Sequence, residues 1–181
     1  SFSNCKKNTG PLDFSTKNFM NLSEQHEFMK QVIFPESITT KQQLDLSDVD
    51  YALLYKEMSI FPRHSNHPKY PDYESYYDGY CKFFMYGDTK DTIPYNLKIF
   101  NKVGMAYGFL LDNAYIIDTD NNVEFILTAV VYHNENETMN DDTYEYDNIT
   151  IPFLAELGRK VYNIELARDK NYLPDLSRFI N

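Results

Sequence analysis

The sequence predicts an α+β fold: helices, then an antiparallel three-stranded meander, then a C-terminal helix that covers the sheet. Two changes of pattern carry this reading. Apolar residues recur at helical spacing through the first half of the chain, and from Leu97 the pattern changes to strand-like runs rich in β-branched and aromatic residues. A last helical period then begins near Pro152.

Taken in order, Ser1 to Lys17 are polar and carry Gly10-Pro11, which reads as a loop. Asn21 is placed to cap a helix from Leu22 to Phe34, with Glu24 in its first turn and Pro35 closing it. Ser47-Asp-Val-Asp50 resembles a capping box and opens a second helix, whose apolar positions are Val49, Leu53, Leu54 and Met58. A connection rich in Pro, His and Tyr follows. A third helix is expected over Glu74 to Tyr86, stopped by Gly87.

The strands are expected at Ile99–Val103, Ala106–Ile117 and Val123–Tyr132, with a hairpin turn at Asp118 to Asn122. The acidic stretch Asn134 to Asp147 reads as an exposed connection. The closing helix runs to about Arg168, with Leu154, Leu157, Val161 and Ile164 on one face.

The chain has 181 residues, enough for one core, and shows no repeat or boundary that would divide it; residues 1–181 are read as a single unit. A net charge of −10 argues against nucleic acid or an anionic membrane as the main partner. No run approaches the roughly 18 apolar residues of a membrane span. Cys5 and Cys81 read as two unpaired thiols. The 16 Tyr and 13 Phe fill a core and its rim on the simplest reading, and present a face for flat sugars or peptides on the other.

Lys102 is the sharpest candidate for chemistry. It stands at the start of a strand, two residues before Gly104, where a substrate can approach the backbone closely. Such a strand at a cleft could pair with a peptide-like substrate while the ammonium attracts a carboxylate. Other groupings are weaker. His64 and His67 lack further ligands nearby, so no metal site is expected, and Asp118-x-Asp120-x-Asn122 has Val123 where a calcium loop needs glycine.

The run Lys102-Val103-Gly104, followed by Gly108, Asp112 and Ala114, resembles the class A-like branch of the serine β-lactamase and penicillin-binding-protein superfamily. There a Lys-Thr/Ser-Gly triad lies on a strand of the cleft. The helices at Leu22 to Phe34 and Ser47 to Ser59 match those preceding that strand, and Ile151 to Arg168 matches the closing helix. The chain therefore looks like the latter half of that domain.

The resemblance implies an acyl-transferring serine hydrolase acting on an amide or ester, either a β-lactam or a peptide-like substrate, without a cofactor. It implies roles for Lys102 and for the Met105 backbone N–H, an oxyanion donor, in catalysis, and for Val103 and Gly104 in substrate binding. It also implies a periplasmic or extracellular setting. Val103 replaces the family's hydroxyl residue. The S-x-x-K motif of the nucleophile has no counterpart at a suitable place, because Ser3-Asn-Cys-Lys6 lies in a loop-like segment. The nucleophile half is therefore expected upstream, as a partner for this half. The alternative is a non-catalytic relative whose Tyr-rich cleft binds cell-wall or polysaccharide material.

Overall fold

The computed structural model describes residues 15, 19–39 and 43–180. Most of the Ser1–Lys17 loop, with Cys5 and Ser3-Asn-Cys-Lys6, lies outside the described residues. The architecture is α+β. Helices α1 (Leu22–Ile33) and α2 (Asp48–Ser59) precede one helical turn, α3 (Phe83–Tyr86). Strands β1 (Leu97–Ala106), β2 (Phe109–Asp118) and β3 (Val123–Tyr132) follow, and α4 (Ile151–Ala167) comes last. No helix among the described residues is long and apolar enough to cross a membrane.

Both early helices start where their capping residues require. Asn21 Oδ1 accepts from Glu24 N–H while Glu24 accepts from Asn21 N–H, each at 2.9 Å. Ser47 and Asp50 make the same reciprocal pair. Each pair satisfies orphan N–H groups at a helix start.

The strands form an antiparallel sheet in the order β1-β2-β3. The first hairpin turns on Tyr107 and Gly108, both at positive φ, so β1 runs to Ala106 and β2 begins at Phe109. Pleating sends alternate residues to opposite faces, and both faces are covered. Ile99, Leu110, Ala114 and Ile116 pack with Phe83, Phe84 and Leu154 on one side. Phe100, Tyr115 and Ile117 pack with Met29, Ile33, Leu176 and Phe179 on the other. The sequence assigned the covering role to the last helix alone; α1 and the C-terminal Leu176–Phe179 stretch share it. Helix α2 contributes less than its spacing suggested, since Val49 and Leu53 are 78% and 56% exposed.

The expected helix over Glu74 to Tyr86 is not formed. The segment holds a short 3₁₀ turn at Asp78–Cys81 and the single turn α3, within which Phe84 is extended and Met85 has φ 71. Polar partners elsewhere in the fold dictate this path. Asp78, fully buried, pairs with Arg63 at 3.0 Å and accepts from Ile93 N–H at 2.9 Å. The Phe84 N–H goes to the Asp112 carboxylate at 3.1 Å rather than to a helical carbonyl. Buried charges must be paired, and that requirement outweighs weak helical periodicity.

Candidate functional site

The site is built around β1, which has β2 on one side and, among the described residues, no strand on the other. Thr119 N–H bonds to Asn96 C=O at 2.9 Å just beyond the end of the β1–β2 ladder. Bonded and non-bonded pairs alternate in an antiparallel ladder. The register therefore turns the backbone N–H and C=O groups of Asn101, Val103 and Met105 away from β2, toward the open edge.

Along that edge lies a groove of about 370 Å³, lined by residues including Phe61, Tyr70, Tyr80, Cys81, Lys82 and Lys102. Lys82, only 2% exposed, lies beneath it. Its ammonium donates to Met58 O at 2.6 Å and to Asn101 Oδ1 at 2.7 Å. Asn101 Nδ2 in turn donates to Cys81 O at 2.8 Å and to Asp112 Oδ1 at 2.9 Å. The amide of Asn101 thus bridges a buried cation and a buried carboxylate, and its orientation is fixed by its partners.

Burial dominates the electrostatics here. It lowers the Lys82 pKa to about 8 and raises that of Asp112 to about 6, although hydrogen bonds from Asn101 and Phe84 oppose the latter shift. Burial also pushes the Cys81 thiol up, against the pull of the Lys82 charge. Removing a charge from water disfavours its ionised form, and the partial pairing only moderates this.

The four residues singled out in the sequence sit together on this edge. Lys102 is exposed; its amine donates to Val103 O at 2.6 Å and makes no ion pair among the described residues. It stands where the edge groove meets a second groove between α1 and α2. Val103 is half-buried on the opposite sheet face, Gly104 is exposed, and Met105 is 56% exposed. Residue spacing did not reveal Lys82, Asn101 or Cys81. Lys82 fell within the expected third helix, where a lysine reads as a surface charge. Its one signal was its position in "YCKFFMY", with apolar neighbours on both sides.

A second polar chain runs on the other sheet face. Thr128 Oγ donates to Asn113 Oδ1 at 2.8 Å, and Asn113 Nδ2 donates to Gln25 O at 2.8 Å. The Thr128 hydroxyl has one proton, so His26 Nδ1, 2.9 Å away, is the donor to it. Among the described residues no group of three or more His, Cys, Asp or Glu side chains could hold a metal ion. His64 instead stacks near Phe61, with ring centroids 5.8 Å apart.

The arrangement can hold a polar, anionic group against an open strand edge. Outward-facing N–H groups serve as donors there, and beside them stands the Lys102 ammonium, which makes no ion pair among the described residues. No family model, curated protein or solved structure matches this chain.

Proposed function

We propose that the β1 edge is the substrate-facing side of an acyl-transferring serine hydrolase resembling the class A β-lactamases, with this chain forming the latter half of that fold. The observation that carries the reading is that Lys102 lines a groove along the β1 edge while the Met105 N–H, further along the same strand, faces away from β2. A serine hydroxyl attacks the carbonyl of an amide or ester, the leaving group departs with a proton, and water releases the resulting acyl-enzyme. Met105 N–H donates to the oxyanion. Lys102 attracts the anionic group of the substrate, a task it performs without a neighbouring hydroxyl because Val103 has none. The attacking serine is supplied by polypeptide other than the described residues, and an extracytoplasmic setting accompanies the reading.

Labelling the full-length protein with a fluorescent penicillin and a fluorophosphonate tests this. Lys102→Ala is expected to lower labelling at least tenfold. Equal labelling of both forms removes Lys102 from the mechanism, and no labelling of either probe removes the hydrolase.

A second reading is favoured by the row Tyr70–Tyr76–Tyr80, whose ring centroids lie 4.8 and 5.1 Å apart beside the groove. It gives a non-catalytic module that stacks these rings on cell-wall or polysaccharide material. Retention on insoluble peptidoglycan, lost in Tyr80→Ala and unchanged in Lys102→Ala, distinguishes it.

A further inference from the structure

The groove between α1 and α2 differs in chemistry from the edge groove. It encloses about 540 Å³, with Met20, Met29, Met58 and Leu46 among its apolar lining and Gln25, Lys102 and Asn113 as its polar residues. A volume of this size is typical of small-molecule sites. Three of the lining side chains are methionines, whose unbranched, polarizable stems adapt to flexible ligands.

The polar residues are not equivalent. The Asn113 amide is committed to Gln25 O and Thr128. Gln25 Nε2 donates to Met20 O at 3.4 Å. Lys102 alone carries a charge: one N–H of its ammonium goes to Val103 O, and the charge has no acidic partner among the described residues. An apolar trough whose lining includes one cationic residue, Lys102, is complementary to a ligand with an apolar body and a single anionic head.

We propose that this groove binds an apolar carboxylic acid of the fatty-acid type, its alkyl chain lying between α1 and α2 and its carboxylate paired with Lys102. Lys102 lines the groove, and its four-carbon stem contributes apolar surface there. Alkyl burial supplies the affinity. The Lys102 pair supplies the preference for an acid over a neutral chain. The inference goes beyond the acyl-transfer reading and does not rest on it, since binding requires no nucleophile.

Calorimetric titration of the full chain with decanoate, below its micelle-forming concentration, tests the site, with decanol as the uncharged control. Decanoate is expected to bind saturably at one site, at least tenfold more tightly than decanol. Lys102→Gln is expected to bring decanoate down to the level of the alcohol. Leu46→Glu, at a residue already partly exposed, places a carboxylate at the groove and is expected to abolish binding of both. Unchanged circular dichroism of each variant establishes that the fold is retained. Absence of decanoate binding, equal affinity for decanol, or unaltered binding by Lys102→Gln overturns the proposal. A chain that dimerises, becomes monomeric as Leu46→Glu and binds no decanoate also overturns it, assigning the groove to a second copy. None of these results bears on penicillin labelling, so the two readings fail separately.

Discussion

Replacing Lys82 with methionine exchanges a buried ammonium for an apolar stem of similar length, and its effect on stability must depend on pH in a calculable way. The native pKa of Lys82 is about 8, against an ordinary value of 10.5. Below pH 8 both the folded and unfolded chains hold the proton, and the folded state bears the full cost of burying the charge. Between pH 8 and 10.5 the unfolded chain still holds a proton that the native chain has shed. Stability from this group therefore rises with pH, by about 1.4 kcal/mol per pH unit and about 3 kcal/mol across the window. Other alkaline groups act in the opposite sense: the pKa values of Cys81 and Tyr55 are raised by burial, so their native forms hold protons that the unfolded chain has lost. The informative quantity is thus the difference between wild type and Lys82→Met. Urea midpoints followed by far-UV circular dichroism at pH 7, 8, 9 and 10 provide it. The gap is expected to shift in favour of wild type by about 2–3 kcal/mol from pH 8 to 10. A difference constant to within about 0.5 kcal/mol over that range refutes the reasoning, because Lys82 would then not be shedding its proton in the native state.

Asp112→Asn supplies the acidic counterpart. With its native pKa raised from 3.8 to about 6, Asp112 contributes stability below pH 3.8 that is lost as pH rises through 6. The wild type is expected to lose about 2 kcal/mol between pH 4 and 6 relative to the variant, measured by the same midpoints at pH 4, 5 and 6. Gly158→Ala inverts the usual helix preference for alanine of about 1 kcal/mol, because an added Cβ would lie 2.7 Å from Met85 N and 2.9 Å from Phe84 Cβ. A net loss of about 1–3 kcal/mol is expected, visible as a lower melting temperature. Gly108→Ala forces a side chain onto φ +86 and to 2.5 Å from His133 O. It is expected to cost about 1–3 kcal/mol and to loosen the first hairpin, seen as faster amide exchange at Phe109 and His133.

Where local chemistry carried the information, the sequence was sufficient. Asn21 with Glu24 and Ser47 with Asp50 mark helix starts because the capping bonds span only three residues. The third strand lies at Val123–Tyr132 as its β-branched run predicts, bounded by the Asp118–Asn122 turn. The expectation failed at 74–86, where Asp78, Lys82 and Phe84 are tied to Arg63, Asn101 and Asp112 from distant parts of the chain. It also failed at the hairpin, where Ala106 was assigned to the second strand although Tyr107 and Gly108 make the turn. In the candidate site, Lys102 stood out by its place before Gly104, whereas Asn101 read as an ordinary strand residue.

The sequence by itself determined the class of fold, the order of its principal elements and the position of Lys102 on the first strand. These follow from periodicity and from capping and turn chemistry, which act over a few residues. Only the tertiary structure decided that both sheet faces are covered, that the β1 edge, open among the described residues, lies beside a groove, and that Lys82, Asn101 and Asp112 form one buried polar chain. Those facts depend on which distant groups meet in a low-dielectric interior, where an unpaired charge costs more than a broken helical pattern. Residue spacing along one chain does not encode such meetings.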